Sequence, residues 1–390
     1  MKYYLKYLKG DPVIWIITLL LLAFSLVTVY SFVPILVKIE GGTPFQYLTK
    51  HFIYVIIAFG VMFLTHRLEP KYFSQLSKFG FFLAILILLL TMLFGIKVND
   101  AGRWVRIPLI GLTFQASDFA KLALIVYLSK LLVKYKDKFQ NWKEGILPII
   151  VPVIVICGLI LKDNFSTSAM LFALCMMLLF IGKVPYDKIG GILLGGIVFL
   201  FLLISLHKAL PSLNLLPRYD TWVSRYDAKV ENDNNPENAQ SKNALLAIHN
   251  GSIFGQGVGD GKLKEYIPEA YADFYYSSFV EEFGLISAIL LISLYLILLF
   301  RILRIALKTD NPFHSFVAIG IGAHLLTQAS INMLVSTGIM PVTGQNMPFL
   351  AMGGSALIMA CASIGIVQAF AYDYQQKNKQ LSELSFDERE

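Results

Sequence analysis

The sequence predicts an all-α polytopic membrane protein of about ten transmembrane helices, with a large external loop between the seventh and eighth. Three observations predict it. Of 390 residues, 56% are hydrophobic and 15% charged, against about 25% charged in an ordinary soluble domain. Apolar runs of roughly 18 or more residues, each long enough to cross a ~30 Å hydrocarbon core, recur along the chain. Lysines and arginines gather in alternate connections between those runs, as cytoplasmic loops require.

The runs fall near residues 13–36, 51–65, 79–96, 115–133, 146–162, 167–182, 189–207, 274–300, 313–336 and 349–370. The first is too long for a signal-peptide core and lacks a small-residue cleavage site, so it reads as a retained span. The second and sixth are short and suit a span that tilts little or thins the bilayer. Lys2, Lys6 and Lys9 precede the first run, and Arg67, Lys71 and Lys78 separate the second from the third. Lys130, Lys134, Lys136, Lys138 and Lys143 follow the fourth; Lys183 and Lys188 follow the sixth; Arg301, Arg304 and Lys308 follow the eighth. All these connections share the side of the N-terminus, which makes both termini cytoplasmic. The net charge of +7 is accounted for by these loops, and no nucleic-acid partner is expected.

Residues 1–374 read as a single transmembrane domain. Its external loop, about 208–272, is expected to be partly mobile, with "ALLAIHNGSIFG" folding back as a short helix on the membrane surface. Residues 375–390 read as a disordered cytoplasmic tail. Cys157, Cys175 and Cys361 all lie in apolar runs and read as packing residues.

A charge embedded in the membrane costs roughly 2.5–3.5 kcal/mol on insertion scales, so each such residue asks for a reason. Asp118 and Lys121 sit three residues apart on one face of the fourth span, as an ion pair or as part of a site. Arg103 and Arg106 precede them in "DAGRWVRIPLI", where snorkelling to the interface is the plainer reading. In "IPEAYADFYYSSFVEEFGLI" (267–286), Pro268 suits a first helical turn, which puts Glu269 and Asp273 on one helix face. Glu281 and Glu282 read as structural, with partners on neighbouring helices. His324, Gln328 and Asn332 form a stripe at spacings of four, which interhelical hydrogen bonding explains. "PVTGQNMPF" (341–349) reads as an uncharged external re-entry, and "GGS" (353–355) permits a close approach of helices.

Other motifs fail. "GQGVGDGKL" (255–263) has Leu263 where a phosphate loop needs Ser or Thr, and reads as a flexible external turn. The six histidines have no metal-ligand spacing, and no serine sits in a nucleophile elbow. The embedded charges collect on the outer side, whereas a transporter places its site near the midplane. A one-sided polar site beside lipid suggests work on a lipid-linked substrate displayed on the outer leaflet.

These residues carry a resemblance. Over about residues 10–372 the chain resembles the SEDS proteins (shape, elongation, division and sporulation), the FtsW and RodA polymerases of bacterial peptidoglycan. The matching stretches are Arg103–Trp104, "QASDFAKLA" (115–123), "GSIFGQGVG" (251–259), "IPEAYADF" (267–274), "EEFGLI" (281–286) and "PVTGQNMPFLAMGGSALI" (341–358). The resemblance implies polymerisation of lipid II, with Asp273 in the place of the essential aspartate and Lys121 in that of the fourth-span lysine. Gln345, within the re-entrant motif, is implied as a supporting residue. Asp118 stands where most members have glutamate, and Asn164 where they usually have aspartate, so a carboxylate role at that turn is expected only if neighbouring Asp163 substitutes. "RYDTWVSR" (Arg218, Thr221, Trp222, Arg225) looks more like the division branch than the elongation branch.

The implied reaction joins a sugar hydroxyl to an anomeric carbon while a polyprenyl diphosphate leaves. Asp273 is then the base, and burial and the nearby Glu269 are expected to raise its pKa from the ordinary value of about 3.9. Lys121, Arg103 and Arg106 are the cations for the diphosphate, with Asp118 holding Lys121. No cofactor is expected; a divalent cation is compatible with the reaction but has no signature in the residues. A class B penicillin-binding protein, other division proteins and a septal location in the cytoplasmic membrane are implied as well. The competing readings are an elongation polymerase, a lipid-precursor flippase and a non-catalytic division scaffold.

Overall fold

The computed structural model describes residues 8–98, 101–106, 113–210, 216, 219, 223–224 and 236–387. Its helices are α1 (Pro12–Glu40), α2 (Pro44–Thr65), α3 (Pro70–Phe94), α4 (Ala116–Lys134), α5 (Leu147–Leu161), α6 (Phe165–Ile181), α7 (Tyr186–Ala209), α8 (Pro236–Gly251), α9 (Tyr275–Lys308), α10 (Pro312–Ser336) and α11 (Gly354–Asp387). Each expected span coincides with one of them. Among the described residues, eight helices are long and apolar enough to cross a membrane. The two that fall short are α4, which carries Asp118, Lys121, Lys130 and Lys134, and α6, which has 17 residues. α8 lies where a short helix is expected within the long loop.

Two features depart from the sequence reading. A small antiparallel sheet, β1 (Ile96–Val98), β2 (Ala101–Arg106) and β3 (Thr113–Gln115), joins α3 to α4. α11 also continues through residues expected to be a disordered tail. There, helix-forming Gln, Lys, Leu and Glu are joined by i,i+4 ion pairs, Lys377 with Asp373 and Lys379 with Glu383.

The chain divides into two compact units, Met1–Phe73 with Asp233–Glu390, and Ser74–Asn232. In the first unit, Asp11 caps α1 by accepting from the amides of Val13 and Ile14. Its other carboxylate oxygen pairs with Arg301 near the end of α9, while its backbone exchanges two hydrogen bonds with the Gln368 side chain on α11. One end of the unit is thereby tied across three helices. α2 begins with a capping box of Thr43 and Gln46 and packs along α11. Gly354 faces Tyr54 and Gly365 faces Thr65 so closely that a methyl group at either position would overlap its neighbour.

In the second unit, Phe81 of α3 stacks on Tyr127 of α4 at 4.8 Å between ring centroids. Asn164 caps α6 through the Thr167 amide at 3.1 Å, and Ser168 donates to the Cys157 carbonyl at 2.7 Å. The three cysteines are free and buried.

Candidate active site

α9 is broken inside its apolar run. Gly284 adopts φ 77°, ψ 177°, which takes its neighbours out of the helical hydrogen-bond ladder. A broken backbone is tolerated at membrane depth only where protein satisfies it. Here the segment after α8 does so: Gln256 and Gly257 donate to the carbonyls of Glu281 and Glu282 at 2.9 and 3.1 Å. Leu285 in turn donates to the Ser252 carbonyl at 3.0 Å. A Cβ on Gly284 would run into the backbone of Ile253, Phe254 and Gly255. "GQGVGDGKL" is therefore docked at its start against a helix break, which corrects its reading as a flexible turn.

The same break fixes the paired glutamates. Glu281 Oε1 accepts from the amides of Lys262 and Leu263, both at 3.1 Å. Glu282 pairs with Lys264, whose ammonium also donates to the Ser31 hydroxyl at 2.6 Å and the Ser31 carbonyl at 3.1 Å on α1. Lys264, Glu282 and Ser31 are all buried. A buried ion pair holds only where its remaining hydrogen bonds are made, and this one is well supplied.

Asp273 sits differently. Residues 268–274 form a turn rather than the first turn of α9, which starts at Tyr275. Glu269 has φ 53°, left-handed backbone that is uncommon for a residue with a side chain and that aims the chain back on itself. The carbonyl of Glu269 accepts from the amides of Ala272 and Asp273 at 2.9 and 3.0 Å. Glu269 and Asp273 are thus joined through the backbone, and not as two positions on one helix face. Asp273 is half-buried and Glu269 exposed.

Asn332 of α10, fully buried, holds this turn. Its amide donates to the carbonyls of Ala272, Asp273 and Gln345 at 3.0, 3.1 and 3.0 Å, and its oxygen accepts from the Tyr276 amide at 3.2 Å. Gln345 belongs to the re-entrant segment, and just beyond that segment the Met352 amide donates to the Tyr271 carbonyl at 3.3 Å. Asp273, Glu269 and Gln345 are therefore gathered in the first unit.

Asp118 and Lys121 lie in the second unit. They form a buried ion pair at 2.9 Å, each side chain 6% exposed. Arg103 and Arg106 are on β2, where Arg106 pairs with Thr113 and Trp104 with Gln115; the placement of the two arginine side chains lies outside the described residues. Arg218, Thr221, Trp222 and Arg225 lie outside them too. Asp163 is half-buried at the α5–α6 turn, where burial pushes its carboxyl above the usual range and Lys162 opposes that rise. Among the described residues, no three His, Cys, Asp or Glu side chains converge to hold a metal ion.

The fold and these residues can be set beside known proteins. The family model described as "Cell cycle protein", covering FtsW, RodA and SpoVE, matches residues 11–376. The chain belongs to that family. It is 30% identical over 375 residues to "Probable peptidoglycan glycosyltransferase FtsW" of Coxiella burnetii, with 93% of this chain and 96% of that one covered. It is 31% identical over 366 residues to the protein of the same name from Geobacter sulfurreducens, with 92% and 94% covered. Among solved structures, a chain of a peptidoglycan synthase complex that coordinates polymerization and crosslinking matches with TM-score 0.71 at 23% identity, covering 94% of this chain and 99% of that one. RodA of Thermus thermophilus matches with TM-score 0.66 at 22% identity, covering 93% and 97%. The chain is an FtsW-like, multi-pass membrane protein of the SEDS fold.

Sequence reasoning passed over Lys264 and Ser31, because their partners are distant in sequence and neither residue has a motif of its own. Asn332 did give a signal, the polar stripe on α10, but the stripe does not say which backbone the amide would meet.

Proposed function

We propose that the chain is a peptidoglycan glycosyltransferase, as its FtsW relatives are named, and that it polymerises lipid II on the outer face of the bacterial cytoplasmic membrane. The observation that carries this reading is the fixed presentation of Asp273 at the start of α9, in a chain matched to the family over residues 11–376. Asp273 takes the proton of the acceptor sugar hydroxyl as its oxygen bonds to the anomeric carbon. The bond from that carbon to the polyprenyl diphosphate breaks, and the leaving oxygens gather negative charge. That charge calls for fixed cations, the part that the family resemblance gives to Lys121, Arg103 and Arg106, with Asp118 paired to Lys121 at 2.9 Å. Glu269 and Gln345 support the turn that presents Asp273. A single displacement inverts the anomeric centre, the logic of glycosidases that form no covalent intermediate. The scheme calls for no cofactor.

In this reading both termini are cytoplasmic and the enzyme works at the division septum. Its partner is a class B penicillin-binding protein, because the chain has no serine-nucleophile pattern for cross-linking peptides, and other division proteins join them. Purified protein is incubated with lipid II, alone and with a partner transpeptidase, and polymer length is read on a gel. Glycan polymer from the wild type is expected. A folded Asp273→Asn protein that polymerises at the wild-type rate overturns the assignment of the base.

A further inference from the structure

We infer that Asn332 is a positioning residue for the reaction: it fixes the backbone on both sides of Asp273 and so aims the carboxylate. This rests on the reading of Asp273 as the base. The side chain of a residue points where its two flanking peptide planes direct its Cα–Cβ bond. In the plane before Asp273, the Ala272 carbonyl accepts from Asn332 at 3.0 Å and the Asp273 amide donates to Glu269 at 3.0 Å. In the plane after it, the Asp273 carbonyl accepts from Asn332 at 3.1 Å. Both planes are thereby held, and one side chain holds a part of each.

The same amide does two further things. Its oxygen accepts from the Tyr276 amide at 3.2 Å, in the first turn of α9, where the N-cap residue Phe274 offers no side-chain acceptor. Asn332 is thus the helix cap supplied from another helix. Its N–H groups also reach the Gln345 carbonyl at 3.0 Å, which seats the re-entrant segment against the turn. Two backbone stretches distant in sequence, 272–276 and the one at Gln345, meet at one carboxamide that is 0% exposed. Both its N–H donors and its oxygen are engaged, and a displacement of the amide moves the two stretches together.

A displacement of about 1 Å in a reacting group can cost 10²-fold in rate. Asn332→Ala removes all four bonds. Asn332→Ser leaves a hydroxyl that can serve part of them and is the variant used if the alanine protein does not fold. Each is assayed with lipid II at saturating and limiting concentrations, in the wild-type background and combined with Asp273→Asn, with thermal unfolding followed in parallel. The expected result is a fall in kcat of about 10- to 100-fold, with KM for lipid II within about threefold. In the Asp273→Asn background the second substitution is expected to cost nothing more, because the group it aims is gone. A folded variant within twofold of the wild-type kcat overturns the inference, and so does an equal further loss in both backgrounds, which marks a purely structural role. Failure of the base itself reads separately: Asp273→Asn alone then retains activity, and the inference falls with it.

Discussion

Two pairs of carboxylates stand close together in the first unit, and the fold handles them in opposite ways. Glu281 and Glu282 are buried and turned inward, one on two loop amides, the other on Lys264 and Ser31. They close a helix break. Glu269 and Asp273 lie on a strained turn, one exposed and one half-buried, and backbone hydrogen bonds hold that turn. The first pair is committed to closing structure. The second is carried on backbone whose flanking peptide planes are fixed, and a fixed position is what a base requires.

The largest expected effect comes from crossing that line. Asp273→Asn keeps size and the backbone bonds but cannot take a proton, so polymerisation by the folded protein should fall by about 10²–10⁴-fold. Glu281→Gln is the companion on the other side of the comparison. It keeps the Oε1 that accepts from Lys262 and Leu263, and its Oε2 makes no hydrogen bond. A smaller catalytic loss is expected there, and equal losses at the two positions would erase the distinction between the pairs.

Next in size is Lys264→Met. It leaves Glu282 buried beside Ser31 without its cation, a change typically worth about 3–5 kcal/mol. Adding Glu282→Leu should recover most of the lost stability, since replacing a whole buried ion pair by apolar groups is close to neutral or better. Thermal unfolding in detergent checks both. A single variant as stable as the wild type would mean that the pair does not hold the loop to α1.

Gly284→Ala comes third. Left-handed backbone and the overlap with Ile253, Phe254 and Gly255 both oppose a methyl group there, for a loss of at least about 1–3 kcal/mol. Gly80→Ala on α3 is the contrast, because a Cβ there meets nothing within 4 Å. It should be neutral or gain up to about 1 kcal/mol in helix propensity. Loss of the same size at both glycines would argue against a docked break.

How much of this was legible follows from the range of the forces involved. The spans are written in apolar runs, because hydropathy is local; the caps at Asp11–Pro12 and Thr43–Pro44 are local signals too, but the hydropathy reading passed over them and began the second run at residue 51. The close packing promised by "GGS" is local too, and Gly354 meets Tyr54 as that stretch suggests. The helix break is not legible, since Phe283 to Phe300 reads as one apolar segment and only the loop that docks on Gly284 shows that it is broken. The ion pair of Lys264 with Glu282 and Ser31 depends on α1 returning to the loop. The helical face drawn for Glu269 and Asp273 failed for a related reason. Asn332 takes the carbonyls of Ala272 and Asp273 that a helix would have used.

The smallest expected effect concerns Asn164, where the family resemblance leads one to expect aspartate. Its side chain caps α6 through the Thr167 amide, a task that Asn and Asp perform about equally well. Asn164→Asp should therefore leave stability within about 0.5 kcal/mol of the wild type. Asn164→Ala removes the cap and should cost about 1 kcal/mol. If the residue does no more than cap, neither variant changes the rate of lipid II polymerisation once scaled to folded protein. A faster Asn164→Asp enzyme would show that a carboxylate at this position contributes to the chemistry. Asp163, half-buried one residue earlier and with its carboxyl raised by burial, is the group that such a contribution would otherwise have to come from. Asp163→Asn then separates the cases: a loss of rate at constant stability places the function there, and an unchanged rate leaves this turn with the capping of α6 alone.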